Sequence, residues 1–171
     1  MKSLSVKWGV ILVIGLAIFG YTEVWGKSKL QRTTLRGLKG VYVLIEELNP
    51  DLEKDGLTGE QLLTDAELKL RKVGIEVLTE EEWLKTPDLP YLYVNINGDK
   101  VKNTFYCLSI QVSLIQEIRL ERNSFIKASG STWQTSSVGG CNESVVISTV
   151  RDGLGDIINN FINDYLAENP K

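Results

Sequence analysis

Two hydrophobic periods divide the chain. Between residues 58 and 73, and again from Val146 to Leu166, apolar side chains recur every three or four positions, while from Tyr91 to Val138 they tend to alternate. The first period predicts two helices. In the earlier one, Thr58 and Gln61 form a capping box, Leu62, Leu63, Ala66, Leu70 and Val73 line one side, and Gly74 ends the segment. In the later one, Val150, Leu154, Ile157, Ile158, Phe161, Ile162, Tyr165 and Leu166 share a face, opposite Arg151, Asp152, Asp156, Asn159, Asn160 and Asn163. Gly153 and Gly155 each weaken that helix by up to about 1 kcal/mol, so packing must hold it.

Around these helices the pattern predicts strands. Gly40-Val-Tyr-Val-Leu-Ile-Glu46 is nearly continuous in apolar character, as expected of a strand buried on both faces, and an acidic loop follows it. Ile75-Glu-Val-Leu78 is a second short strand, and Thr79 with Glu82 opens a short helix that Pro87 closes. Strand, helix and strand at this spacing imply a parallel crossover. Tyr91 to Asn97 leads through Asn97-Gly98 into a long alternating strand. There Tyr106, Leu108, Ile110, Val112, Leu114, Ile118 and Leu120 face one way and Ser109, Gln111, Ser113, Glu117, Arg119 and Glu121 the other. A turn at Asn123-Ser124 returns the chain along Ile126 to Val138, a Ser/Thr-rich strand around Trp133 that suits the outer part of a sheet. Asn142 is a candidate N-cap for the last helix.

The order β-α-β-(α)-β-β-β-α predicts an α/β (α+β) fold: a two-layer mixed sheet carrying a long C-terminal amphipathic helix. If the long hairpin turns symmetrically about Ser124, Glu121 faces Lys127, Ile115 faces Trp133 and Cys107 faces Cys141. That register predicts a Cys107–Cys141 disulfide contributing roughly 3 kcal/mol. A bulge or a one-residue slip would part the thiols. Neither a Cys-x-x-Cys pair nor a basic neighbour marks either thiol for redox work.

The N-terminus changes the picture most. Lys2 and Lys7 precede an apolar run from Trp8 to Tyr21, short of the roughly 20 residues that span a hydrocarbon core and typical of an export signal. Residues 1–26 are therefore expected to be a signal peptide, cut after Gly26, or an N-terminal anchor held by residues 8–21. Residues 27–39, with five basic side chains, are expected to be a tether, and residues 40–171 one α/β domain. Without residues 1–26 the chain has 17 basic and 21 acidic side chains, so neither nucleic acid nor anionic lipid is an expected partner. Membrane contact is expected only through an uncleaved N-terminal segment. No Cys lies near residues 20–27 to be acylated.

The architecture and export signal resemble the small envelope domains of the TolB N-terminal and CsgG-like type. More closely, Leu38-Lys-Gly-Val-Tyr-Val-Leu-Ile-Glu-Glu-Leu, Glu67-Leu-Lys-Leu-Arg-Lys-Val-Gly-Ile, Pro90-Tyr-Leu-Tyr-Val-Asn-Ile and Phe161-Ile-Asn-Asp-Tyr-Leu166 resemble a group of uncharacterised exported bacterial proteins. That resemblance implies a periplasmic or envelope setting and carries no activity with it.

The chain has no His, which removes imidazole bases, the usual triads and His-containing zinc sites. Glu46, Glu47, Asp51, Glu53 and Asp55 could in principle supply a two-carboxylate hydrolase, but they read more simply as a solvated acidic connection. Glu80, Glu81 and Glu82 occupy a capped first turn, where the helix dipole favours them. Asp51 to Gly56 has the opening of a calcium loop, yet its twelfth position is Leu62. Gly37-x-x-Gly40 and Gly139-Gly140 lack the Lys-Ser/Thr of a phosphate loop and read as turns. Asn142-Glu-Ser144 fits a glycosylation sequon, which has little meaning in a bacterial host. No metal or cofactor is expected.

The reading that remains is a non-enzymatic envelope domain that binds or scaffolds another protein through an exposed sheet face or edge. Trp133 and Thr135, on the polar strand from Ser129 to Ser137, are its candidate contact residues, unless Trp133 packs over Ile115. A small-molecule or lipid carrier using the helix–sheet space is the alternative, and a carboxylate hydrolase the second alternative.

Overall fold

The apolar run at Gly40 becomes strand β1 (Gly40–Ile45), and its neighbours set the sheet. The computed structural model describes residues 29–102 and 104–170. β1 pairs in parallel with β2 (Glu76–Val77) on one side and with β3 (Tyr91–Val101) on the other. β3 pairs antiparallel with β4 (Phe105–Leu120), and β4 antiparallel with β5 (Asn123–Asn142), giving the mixed order β2-β1-β3-β4-β5. The α/β class, the mixed sheet and the long C-terminal helix agree with the hydrophobic pattern.

Both long helices lie on one face of this sheet. α3 (Gly59–Lys72) begins with the reciprocal Thr58–Gln61 capping box and ends where Gly74 takes a φ of +84°. α5 (Val146–Glu168) buries Val150, Leu154, Ile157, Ile158, Phe161 and Ile162. These meet Leu92, Val94 and Ile96 of β3 and Leu108, Ile110, Val112 and Leu114 of β4 in one core. Gly153 faces the sheet and Gly155 faces α3, each against the movable end of a side chain. A Cβ on Gly153 would stand 2.8 Å from Ile110 Cδ1, and one on Gly155 3.0 Å from Lys69 Cε. An Arg151–Asp65 ion pair, with Nε to Oδ2 at 2.6 Å, ties α5 to α3.

Four local expectations change. β1 is covered on one face only, so Val41 and Val43 are buried while Leu44 is 39% exposed. The acidic loop contains a short helix, α2 (Pro50–Lys54). Asn49 caps it, Pro50 sits at its start, and Leu48, Leu52 and Leu57 sink into the core. Asn142 makes no side-chain cap: a 3-10 turn, Glu143–Val145, intervenes before α5.

The fourth concerns residues 27–39, expected to be a tether. From Lys29 onward they belong to the folded body. α1 (Lys29–Thr33) packs against α5 and β5, and Leu35 and Leu38 join the core. The Arg36 guanidinium bonds Glu168 at 2.8 Å, the Gly37 N–H donates to Asn169 Oδ1 at 2.7 Å, and the Tyr165 hydroxyl donates to Leu38 O at 2.9 Å. The expected signal or anchor, residues 1–26, lies outside the described residues. Among the described residues no helix is long and apolar enough to cross a membrane.

Leu35→Ala is therefore expected to cost about 2–5 kcal/mol, the usual range for emptying a buried leucine site. Urea unfolding of this variant measures the loss. A midpoint equal to that of the parent would restore the tether.

Candidate functional site

The hairpin register decides what each strand offers to solvent. β4 and β5 shift against one another between Leu114 and Ile115: Leu114 pairs with Trp133 but Ile115 with Ser131, so Thr132 is an extra residue. A symmetric turn had placed Trp133 opposite Ile115. With the offset, Trp133 points to the helices and is fully buried. Its ring is edge-on to Phe161 at 5.2 Å and its indole N–H donates to Asp164 Oδ2 at 2.8 Å. Thr135 pairs with Val112 on the same inner side and is half-buried. Neither of the two candidate contact residues therefore stands on an exposed surface. Trp133 belongs to the packing of α5.

The same offset parts the cysteines. Cys107 pairs with Gly140 and Cys141 with Tyr106, so the thiols project from opposite faces of the sheet, and both are free. Cys107 is exposed, while Cys141 packs against the core edge. The expected Cys107–Cys141 disulfide is not formed.

What remains open is the other face of the sheet. Tyr42, Tyr91, Ile115 and Ser131 form one row across β1, β3, β4 and β5, and Leu44, Tyr93, Ser113 and Gln134 the next. Asn95, Gln111 and Ser136 make a third. Hydrogen bonds fix the polar part: Asn97 Nδ2 donates to Asn95 Oδ1, Asn95 Nδ2 to Glu46 Oε2, and Gln111 Nε2 to Ser113 Oγ at 3.2 Å. The hydrogen bond between Tyr93 and the Glu46 carboxylate, aided by burial, raises the phenol's pKa above its ordinary value. Glu46 thus serves the surface as a fixed acceptor.

One helix touches this face. α4 (Glu80–Lys85), held by the Thr79–Glu82 capping box, stacks Trp83 on Tyr42 at 5.3 Å with the rings 18° apart, and edge-on to Tyr91 at 5.5 Å. The segment after it is held in the left-handed region at Asp88 (φ 63°) and Leu89 (φ 45°), and the Glu117 N–H donates to Asp88 O at 2.7 Å. Two consecutive non-glycine residues there store strain of order 1–3 kcal/mol each. Trp83, Leu89, Tyr91, Ile115, Gln116, Glu117, Lys127, Ala128 and Ser129 line a groove of about 400 Å³, with a 2.7 Å Lys127–Glu117 ion pair on its wall. The Trp83 indole N–H is buried without an acceptor among the described residues. Such a group is costly to leave unpaired. The aromatic wall was not singled out from the sequence, although Trp83 in an otherwise polar capped turn was a visible signal.

The acidic loop is committed elsewhere. Asp51 accepts from Lys54 at 3.3 Å, and its backbone N–H is taken by Asn49. Asp55 accepts from the Tyr106 hydroxyl at 2.6 Å and from Lys100 Nζ at 3.0 Å, and Lys100 also reaches Glu143 at 2.9 Å. The Tyr106 bond, and then Lys100, hold the Asp55 carboxyl below the usual range. Glu143 and Asp55 raise Lys100 above the ordinary lysine value, while burial and Asp55 push Tyr106 up to about 12. Among the described residues no cluster of three or more His, Cys, Asp or Glu could hold a metal. The space between helices and sheet is filled by the core, from Leu62 and Phe161 to Trp133 and Leu114.

The chain matches no protein-family model and no curated protein sequence.

Two measurements check this geometry. Trp133→Ala should lower stability by about 3–5 kcal/mol in denaturant unfolding. An unchanged midpoint would return the ring to the surface. Because the Asp55 pKa is depressed on folding, its contribution is present above the unfolded value of 3.8 and is lost as pH falls below it. Tyr106 is raised, so its contribution is whole below 10.0 and is lost as pH climbs toward about 12. Thermal unfolding across pH should therefore show a shallower alkaline limb in Tyr106→Phe, with Tyr93 and Tyr165 supplying what remains, and a shallower acid limb in Asp55→Asn.

Proposed function

We propose that the chain is an exported cell-envelope domain that binds another protein and performs no catalysis, and that the open face of its sheet is the contact surface. The N-terminal pattern of Lys2, Lys7 and the apolar run to Tyr21 supports export, as does the resemblance of the mature segments to exported bacterial proteins. The observation that carries the contact surface is the groove beside Trp83. Aromatic rings and an ion pair converge there on a face the long helices leave bare. Tyr and Trp are the residues through which protein contacts concentrate their energy. An extended segment lying across these rows would meet the rings of Tyr91 and Tyr93 and the amides of Gln111 and Gln134, with Trp83 closing one end.

Position-resolved photocrosslinking in cells tests this. A crosslinking amino acid at Gln134, beside the groove rows, should give one discrete adduct, and the same residue at Asn160 on the exposed side of α5 should give none. Tyr91→Ala, which removes the groove wall without entering the inner core, should abolish the Gln134 adduct while the protein remains folded by circular dichroism. Equal adducts from both positions, or none from Gln134, would overturn the assignment of the face.

A further inference from the structure

We infer that the outer edge of β5, from Gln134 to Asn142, pairs antiparallel with the same edge of a second copy of this chain, the two Val138 residues facing each other on the two-fold axis. This contact uses the sheet edge and does not depend on the partner proposed for the open face. Each edge of a sheet presents backbone N–H and C=O groups to any strand that approaches. At one end of this sheet the edge strand is β2, two residues long, and at the other it is β5, twenty residues long. A very short edge strand is one protection against stray pairing, and β5 lacks it.

The two halves of β5 differ. The first half carries Lys127 and the bulge at Thr132, and Thr34 donates to Thr132 O at 3.3 Å, so the chain after α1 lies against the strand there. Charges, bulges and covering segments are the other usual ways of closing an edge. Beyond Trp133 none of them remains among the described residues. From Ala128 to Asn142 the sequence has no charged residue and no proline, and from Gln134 to Asn142 the register with β4 runs without a shift. Ser136 to Gly140 are all exposed, so neither face of the strand is covered at its centre, and Val138 is 81% exposed. Gly139 lies outside the left-handed region, and a Cβ on it would meet nothing within 4 Å. A glycine inside a strand weakens it and suits a place where another backbone comes close.

Charge and symmetry select the occupant. A second β5 brings an edge as free of charge as the first, so no ionised group is stranded when the two meet. The open stretch from Gln134 to Asn142 is centred on Val138. Antiparallel pairing about that centre sets Gln134 opposite Asn142 at both ends, Ser136 opposite Gly140, and the exposed valine opposite its own copy. Such an isologous contact closes on itself as a dimer and consumes both free edges. Val138 shares a side of β5 with Gln134 and Ser136, so the joined sheets continue the open face from one copy into the other.

Disulfide trapping in cells that express the full chain tests the pairing. With Cys107→Ser and Cys141→Ser as background, Val138→Cys should give an oxidised species of twice the chain's mass on a non-reducing gel, because opposed Cα atoms in an antiparallel pair lie within disulfide range. Ser136→Cys, equally exposed on the same side, should stay monomeric, since its copy sits four residues along the strand, about 14 Å away. In a second measurement, two differently tagged copies of the parent chain should be isolated together from detergent extracts. Val138→Lys in both copies opposes two ammonium groups and should abolish that co-isolation with the circular dichroism spectrum unchanged. Val138→Cys that stays monomeric, or that is trapped no better than Ser136→Cys, overturns the paired edge. An adduct of any other mass assigns the edge to a strand of another protein and overturns the second copy, as does co-isolation that survives Val138→Lys.

Discussion

One extra residue in β5 governs which side of the sheet every later side chain occupies. Side chains alternate with a period of two, so inserting Thr132 between the partners of Leu114 and Ile115 turns Trp133 from the outer face to the inner one. There its ring fills the space beside Phe161, and its N–H reaches Asp164 on α5. The same step sets Tyr106 opposite Cys141, and so separates the thiols across the pleat. A second shift, between Arg119 and Leu120, also separates the register from a symmetric hairpin. The bulge at Thr132 is the local cost of docking α5.

One-sided cover is the second consequence. α3 and α5 meet the inner face, and α4 reaches only a corner of the outer one through Trp83. The exposed face keeps its order without a second layer because its polar side chains bond along and across strands, Gln111 to Ser113 and Asn95 to Glu46. Its Tyr rows bury part of one another. A face of this kind holds its shape before a partner arrives, which lowers the ordering cost of binding.

Much of this fold was legible in the residues, because the signals concerned were local. The two capping boxes at Thr58 and Thr79, the end at Gly74, the alternation of β4 and the period of α5 each depend on neighbours within a few positions. What escaped was nonlocal. Gly130, two residues before Thr132, is the one local hint of a bulge, but it does not say where the extra residue falls. Leu35 and Leu38 lie in a basic stretch that reads as a tether until α5 is in place to bury them. The groove escaped for a related reason. Trp83 and Tyr91 are close in sequence, but Ile115, Glu117 and Lys127 come to them only through a strand order that no single segment states.

The polar cluster at Asp55 bears on the choice between binding and catalysis. General acid–base work needs groups whose pKa is drawn toward the working pH. Here each group is driven the other way: Asp55 is held deprotonated by Tyr106 and Lys100, Lys100 is held charged between two carboxylates, and Tyr106 is held protonated by burial. These three groups are fixed in their ordinary states at neutral pH. What the cluster does accomplish is mechanical, since it joins the end of α2, β3, β4 and the turn before α5, four segments far apart in the chain. Of the carboxylates considered for a hydrolase, Asp55 is spent on that strut and Glu46 on the Asn95 amide of the open face.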